Sequence, residues 1–329
     1  MSTRTVWVAG IVFVFGVEAI GQTRSGSLRW DRQRITSKLT DLAGISGTSS
    51  SDVFVVGARG TVLHFDGARW KEQESGTSRN LSAVWAVSPT DVFAVGFDGL
   101  ILHFDGKEWR RKTGGTTRTL SAIWGGSPSN VIAVGRSGTI LRYDGRAWRP
   151  EQSGTGQDLL AVWGSSPSDV YAGGTRGTLL NFRGGSWSPV QISVKKLLQV
   201  KETYSQFNAL GGTSPTDVYA AGWQGSGAVA EVDRTGVFLR FDGQAWKAVP
   251  DGDTELVSSL WAASPADVFL VGRTLNGLND VRHFDGSRLS SVLSDARFGI
   301  RSAVWSAPTG EVFVVGQGGS VFRGVPGPP

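Results

Sequence analysis

Three histidines are the side chains best suited to acid–base or metal chemistry, and the chain places them far apart, as His64, His103 and His283. A metal centre or a Ser-His-Asp triad needs its members within coordination or hydrogen-bond distance of one another. When the sequence is aligned on its internal repeat, all three histidines occupy one equivalent position. Other copies fill that position with Arg142, Asn181, Arg240 and Arg323. The pattern predicts a hydrogen-bonded or solvated strand position in each repeat, and no metal site.

Aspartate recurs at two further positions of the repeat. One set begins a strand after a serine-rich turn and comprises Asp52, Asp91, Asp169, Asp217 and Asp267. The other set lies in Asp-Gly turns and comprises Asp66, Asp105, Asp144, Asp242 and Asp285. Because aspartate in a turn hydrogen-bonds its own backbone, both sets are predicted to be turn formers.

The composition narrows the function classes further. The chain has 329 residues, no cysteine, 46 glycines and 13 tryptophans. The absence of cysteine excludes a disulfide scaffold, an iron–sulfur cluster and a cysteine nucleophile. No P-loop, dinucleotide fingerprint, H-E-x-x-H or G-x-S-x-G element occurs at a suitable strand–helix junction. We therefore predict no cofactor, and a fold of short strands joined by tight turns.

An internal repeat positions these residues. Its acidic or amide anchor occurs seven times, as Asp52, Asp91, Asn130, Asp169, Asp217, Asp267 and Glu311. Each copy divides into four short apolar runs separated by turn residues, and four antiparallel strands in about 40 residues form one propeller blade. The sequence therefore predicts an all-β, seven-bladed β-propeller over residues 22–324, followed by a loose C-terminal tail at 325–329.

Ring closure and blade packing follow from the same alignment. The last copy lacks its fourth strand, and residues 26–34 match the fourth strands of other copies, so the N-terminal strand should complete the C-terminal blade. Tryptophan recurs at the fourth-strand position as Trp30, Trp70, Trp109, Trp148, Trp187 and Trp246. It recurs at the first-strand position as Trp85, Trp124, Trp163, Trp261 and Trp305. We predict packing between blades for these eleven residues, and only Trp223 within the repeats is out of register.

Residues 1–21 have the pattern of a secretory signal peptide. Arg4 precedes an apolar run from Val6 to Val17, and small residues follow, with cleavage predicted after Ala19 or Gly21. The run is shorter than the ~20 residues that span a bilayer. The alternative interpretation is a buried strand. We expect a secreted or periplasmic protein.

The repeat V-W-G-x-S-P-x-D-V-(Y/F)-A-V-G-x-x-G-T-(I/L)-L-x-(F/Y)-D-G-x-x-W resembles those of repetitive secreted bacterial propellers, the Asp-box and photosystem II assembly-factor-like repeat proteins. The resemblance covers nearly all of residues 28–324. It departs from a strict Asp box because Gly follows Asp directly and the Asp66 to Trp70 spacing is one residue shorter. The resemblance implies a propeller fold and secretion. That group includes lectins, sialidases and assembly chaperones, so it implies no particular reaction.

Extra residues relative to the regular copies fall between blades 4 and 5, within blade 5 and within blade 6, all in connections that lie on one face of the disc. Such insertions gather on a binding face in repeat folds. The candidate ligand-binding residues there are Trp223, Tyr204, Glu202, Gln224, Glu231, Asp233, Arg234, Asn276, Asn279 and Asp280. An aromatic plane surrounded by amides and carboxylates suits a sugar ring or a peptide. Neutral drift of the loops is the alternative, and Arg59, Arg136 and Arg176 are expected to make the same face basic.

These observations predict a monomeric, non-catalytic propeller that binds a glycan or a cell-envelope protein. A glycoside hydrolase or lyase using loop carboxylates is one alternative, because two facing carboxylates about 5–10 Å apart would suffice for glycoside hydrolysis. A protein-assembly scaffold is another. The pI of about 9.7 favours anionic partners. The basic residues are scattered and the chain is expected to be exported, so nucleic acid is not a predicted partner.

Overall fold

A computed structural model describes residues 28–35, 40–192, 204–225, 234–250, 254–294 and 303–327. These residues form seven four-stranded antiparallel sheets, each with its strands in simple up-and-down order. The predicted seven-bladed propeller is therefore confirmed. The predicted signal peptide, residues 1–21, lies outside the described residues.

Each of the first four blades follows the repeat closely. The N-terminal strand β1 spans Leu28–Arg32. Blade 1 holds β2 (Leu42–Ser49), β3 (Asp52–Gly57), β4 (Val62–Phe65) and β5 (Trp70–Glu72). Blade 2 holds β6 (Leu81–Ser88), β7 (Asp91–Gly96), β8 (Ile101–Phe104) and β9 (Trp109–Lys112). Blade 3 holds β10 (Leu120–Ser127), β11 (Asn130–Gly135), β12 (Thr139–Tyr143) and β13 (Trp148–Glu151). Blade 4 holds β14 (Leu159–Ser166), β15 (Asp169–Gly174), β16 (Leu179–Arg183) and β17 (Ser186–Pro189).

The last three blades are less regular. Blade 5 holds β18 (Tyr204–Ser214), β19 (Asp217–Gly225), β20 (Thr235–Phe241) and β21 (Trp246–Ala248). Blade 6 holds β22 (Thr254–Ser264), β23 (Asp267–Thr274), β24 (Asn279–Phe284) and β25 (Leu289–Ser294). Blade 7 holds β26 (Ala303–Ser306), β27 (Val312–Gly316) and β28 (Ser320–Pro326). Within the described ranges, 3-10 turns join second and third strands at Ala58–Gly60, Phe97–Gly99, Arg136–Gly138, Thr175–Gly177 and Gln317–Gly319.

The two ends of the repeat region close the ring. β1 pairs antiparallel with β28, from Leu28 opposite Pro326 to Arg32 opposite Phe322. The ring of Trp30 lies over Gly324, where an added Cβ would stand 3.1 Å from the indole. The predicted closure is confirmed. β28 runs two residues beyond Gly324 into the segment predicted as a loose tail, because Val325 and Pro326 pair with β1.

Fourth-strand tryptophans pack between blades, as predicted. Four of these indoles make edge-to-face contacts with an aromatic side chain, which in each case lies on the second strand of the preceding blade. The ring centroids are 6.3 Å apart for Trp109 and Phe54, and 6.0 Å apart for Trp148 and Phe93. The other two pairs are Trp70 with Phe313 and Trp246 with Tyr171. Edge-to-face pairs contribute about 0.5–1.5 kcal/mol beyond the area that they bury, so each contact ties one blade to the next.

The repeat anchor hydrogen-bonds to the third-strand position in all seven blades. His64, His103 and His283 lie 2.6–2.8 Å from Asp52, Asp91 and Asp267 through Nε2 and Oδ1. The remaining pairs are Arg142 with Asn130, Asn181 with Asp169, Arg240 with Asp217, and Arg323 with Glu311. The histidines are thus hydrogen-bonded strand residues, as interpreted. The turn-former prediction is incomplete for the anchor aspartates, which brace the second strand against the third.

The Asp-Gly aspartates are turn formers, as predicted. Asp285 accepts hydrogen bonds from the backbone N–H groups of Ser287 and Arg288 at 2.8 and 2.7 Å. The Arg288 N–H, the Ser287 hydroxyl and the Ser287 N–H hold the pKa of Asp285 at about 2, below its usual 3.8. The pKa of Asp66 is also lowered, by the Lys71 ammonium and by hydrogen bonds from the backbone N–H groups of Arg69 and Ala68.

This lowered pKa predicts acid sensitivity. A carboxyl group whose pKa falls on folding stabilises the fold above its unfolded pKa, near 4, and that stabilisation is lost as the pH falls towards the folded value. We expect the melting temperature to fall between pH 4 and pH 2. Replacing Asp66, Asp105, Asp144, Asp242 and Asp285 with Asn, which keeps the turn acceptor but cannot ionise, should flatten that slope. Thermal denaturation by circular dichroism at several pH values measures both, and equal slopes would contradict the assignment.

Candidate binding site at the channel mouth

The innermost strands of the blades surround an axial channel of about 910 Å³. It opens on the face that carries the connections between second and third strands and those between blades, which we call the loop face. The mouth is lined by Asp41, Asn80, Phe97, Thr119, Arg136, Asp158, Gln206, Trp223 and Arg234. The predicted insertion face and the open end of the channel are therefore the same surface.

Hydrogen bonds between blades hold the mouth in shape. Asp41, Asn80 and Asp158 each stand just before the first strand of a blade and accept, through Oδ1, a backbone N–H from a 3-10 turn of the preceding blade. The donors are Gly318, Arg59 and Ser137, at 3.0, 2.9 and 2.8 Å. Two of the mouth's carboxylates are thus engaged in joining blades.

The middle residues of the 3-10 turns have a left-handed backbone. The φ angles are +56° at Arg59, +56° at Asp98, +52° at Ser137 and +55° at Arg176, and glycine fills the position in blade 7 as Gly318. A left-handed conformation costs a residue with a Cβ roughly 1–2 kcal/mol. Arginine therefore stands on the loop face at two positions where glycine would be less strained, and strain of this kind gathers at functional sites.

The loop face carries unpaired arginines among the described residues. Arg59, Arg136 and Arg176 make no ion pair with any carboxylate of the described residues. Arg79, by contrast, lies 3.5 Å from Asp98. At the channel mouth, Arg136 and Arg234 line the opening together with Asp41 and Asp158, so the basic character of this face comes from Arg59 and Arg176, which stand on turns outside that lining.

The insertion of blade 5 lengthens strands as well as loops. β18 and β19 have 11 and 9 residues, where β6 and β7 have 8 and 6. Tyr204 and Trp223 consequently lie within the sheet, with ring centroids 5.5 Å apart and an interplanar angle of 27°. The guanidinium of Arg234 sits 4.6 Å from the Trp223 ring centroid. These three predicted residues come together, and Trp223 is only 7% exposed.

The remaining predicted residues are placed apart from this cluster. Gln224 is buried, on the opposite side of β19 from Trp223. Asp280 is buried and accepts hydrogen bonds from Arg282 at 3.0 Å and from Ser291 at 2.6 Å. Asn276 is exposed at the β23–β24 hairpin tip, and Asn279 is half-buried at the start of β24. Glu202, Glu231 and Asp233 lie outside the described residues.

Several residues at the mouth were not found from the sequence. Gln206 and Asn208 line the channel from β18, beside Ser82, Ser121 and Ser258 of other first strands. Three large apolar side chains of the described residues are exposed, Phe97, Leu275 and Leu278, at 37%, 56% and 50%. All three lie in second-to-third-strand connections on the loop face. Phe97 could have been found from the sequence, because it is the only large apolar residue at its position in these turns. The equivalent positions hold Ala58, Arg136, Thr175 and Gln317.

The described residues contain no group of three or more histidine, aspartate or glutamate side chains placed to hold a metal ion. Across the same ranges, no helix has the length and apolar character needed to cross a membrane.

The fold is similar to that of several solved propellers. One is YCF48 bound to a D1 peptide, with a TM-score of 0.63 and 16% identity over 91% of this chain and 95% of that one. Another is streptogramin B lyase, with a TM-score of 0.69 and 9% identity over 91% and 98%. The WD40 propeller domain of Doa1 has a TM-score of 0.69 and 12% identity over 92% and 97%. No protein-family model and no curated protein sequence matches the chain.

The strained turns make a stability prediction. Replacing Arg59 or Arg176 with glycine should stabilise the protein by about 0.5–1 kcal/mol each, because relief of the left-handed strain exceeds the added unfolded-state entropy of glycine. Arg136 precedes the left-handed residue of its turn, so Arg136→Gly should destabilise by about 0.5–1 kcal/mol. Denaturant unfolding measures all three. A loss of stability in both Arg59→Gly and Arg176→Gly would contradict the strain argument.

Proposed function

We propose that this chain is a secreted or periplasmic, non-catalytic propeller that binds an extended, acidic segment of a partner protein at the channel mouth. The observation that carries the proposal is the meeting of two features on the loop face. Arg59, Arg136 and Arg176 are there without carboxylate partners among the described residues, and the exposed apolar side chains Phe97, Leu275 and Leu278 share that face. Exposed apolar groups beside unpaired charge are typical of protein-binding surfaces.

The channel wall favours a polypeptide. Ser82 and Ser121 place hydroxyl groups on it, and Gln206 and Asn208, which are hydrogen-bonded to each other at 2.6 Å, add amide groups that both donate and accept. An extended peptide backbone presents alternating N–H and C=O groups that such side chains satisfy. The similarity to a propeller solved with a bound peptide also supports this choice.

A glycan is less well matched. A lectin uses an open aromatic face as a platform for a sugar ring, and Trp223 was the residue predicted for that role. Its ring is stacked on Tyr204, has the Arg234 guanidinium over it, and is 7% exposed. Little of the indole is left for a sugar to cover.

Catalysis by carboxylates, as in a hydrolase or lyase, is the second candidate, favoured by the similarity in fold to streptogramin B lyase. Against it, Asp41 and Asp158 at the mouth accept backbone N–H groups that hold the turns. Asp280 is buried against Arg282. All three of these described carboxylates thus have a role in holding the fold.

Binding to model peptides tests the proposal. We expect an acidic, extended peptide rich in glutamate and glycine to bind, a lysine-rich counterpart not to bind, and the affinity to fall with rising salt. The triple variant Arg59→Gly, Arg136→Ala, Arg176→Gly should bind the acidic peptide about tenfold more weakly, because each exposed ion pair contributes about 0.5 kcal/mol. Fluorescence anisotropy of labelled peptides measures the affinities.

The matched control removes charge from the opposite face. Arg69→Ala and Arg146→Ala lie in Asp-Gly turns there and should leave peptide affinity unchanged. If substitutions on the two faces weakened peptide binding equally, the binding would depend only on the net charge of the protein, and the proposed site would be wrong. Binding of neutral oligosaccharides in preference to acidic peptides, or turnover of a glycoside, would overturn the proposal in favour of the lectin or the enzyme.

A further inference from the structure

The far end of the channel is crossed by a row of tryptophan rings. Ring centroids are 6.3 Å apart for Trp124 and Trp85, 6.5 Å for Trp85 and Trp261, and 6.1 Å for Trp261 and Trp305. Trp85 belongs to blade 2 and Trp261 to blade 6, which are not neighbours in the ring. Their contact therefore spans the axis and narrows the channel to a cup that opens on the loop face.

Glycines of the neighbouring blades lie directly against first-strand tryptophan rings. A Cβ added at Gly164 would lie 2.7 Å from Trp124, one at Gly212 would lie 2.6 Å from Trp163, and one at Gly47 would lie 2.9 Å from Trp305. Each indole thus presses directly on the backbone of the next blade. The floor is a fixed aromatic surface, on which Trp85, Trp163 and Trp261 are half-buried and line the channel.

The wall between mouth and floor is small and uncharged. The four charged side chains that line the channel within the described ranges are Asp41, Arg136, Asp158 and Arg234, and all four stand at the mouth. Deeper positions are held by residues such as Ala83, Ser121, Ala122 and Ser259. A charged group entering the cup would lose water without gaining an oppositely charged partner, which is costly.

We infer that the cup takes an uncharged aromatic side chain of the bound protein segment. An aromatic ring would displace water from the cup and stack on the tryptophan floor. The channel volume of about 910 Å³ lies in the usual range for a ligand site. This inference rests on the proposed function, since the acidic part of the segment would lie on the arginines outside while its aromatic residue enters the cup.

Three acidic peptides that differ at one residue test the inference. The peptide with phenylalanine should bind about tenfold more tightly than the one with alanine, and the peptide with lysine should bind no more tightly than the alanine peptide. Ser121→Phe fills the cup and should abolish the preference for phenylalanine, while the salt-dependent binding of all three peptides persists. Ser82→Leu, which narrows the cup by a smaller volume, provides a second variant if Ser121→Phe is unstable.

Ser129→Phe is the matched control, because it adds the same side chain at an exposed turn on the opposite face. It should leave the preference intact. If the phenylalanine, alanine and lysine peptides bind equally well, the inference about the cup is wrong, while the proposed function is still supported.

A second probe separates the two proposals. Saturation-transfer NMR with N-acetylphenylalaninamide should detect binding to the wild-type protein and none to Ser121→Phe. If acidic peptides fail to bind and this amide still binds in a Ser121-dependent way, the proposed function fails and the cup stands. If the amide does not bind, or binds equally to both proteins, the inference is wrong.

Discussion

The edge-on contact between a fourth-strand tryptophan and the second strand of the preceding blade is the interaction on which the ring depends. No blade here could bury its apolar faces alone, because each sheet has only four short strands and the chain has no cysteine with which to cross-link them. Trp109 on Phe54 and Trp148 on Phe93 repeat one geometry at successive interfaces. β1 completes blade 7 across the chain ends, where Trp30 covers Gly324 of the paired strand β28.

A ring held in this way separates stability from recognition. Much of the bracing lies between blades and within sheets, in pairs such as His103 with Asp91, and at the connections it is made by backbone N–H groups and leaves the arginine side chains unpaired. On the face opposite the channel mouth, the Asp-Gly turns satisfy their own polar groups, as Asp285 does with two backbone N–H donors. The loop face differs, since it keeps arginines without carboxylate partners among the described residues and carries Phe97 exposed. Polar and apolar groups left available on a rigid support are what a binding surface requires.

The sequence was sufficient for the architecture because each blade repeats the same local signals. Turn residues recur at fixed intervals, tryptophans mark the blade interfaces, and the unmatched N-terminal strand has one place to pair. The bond between the anchor and the third strand was missed, although both positions had been aligned. Spacing shows that Asp91 and His103 are equivalent to Asp52 and His64. Only the register of the second and third strands shows that each histidine lies diagonally across from its aspartate, since His103 is paired with Phe93 and His64 with Phe54.

The candidate site was harder to predict for a related reason. Extra residues between repeats were interpreted as loops, whereas part of the insertion in blade 5 extends β18 and β19 and so carries Trp223 into the sheet. An aromatic residue outside the repeat register can serve either packing or binding, and its exposure depends on whether the strand continues past it. The same extension brings Gln206 to the channel mouth. The added strand length thus converts an expected surface platform into part of the channel wall, and leaves the arginines and Phe97 of the regular blades as the exposed elements of the site.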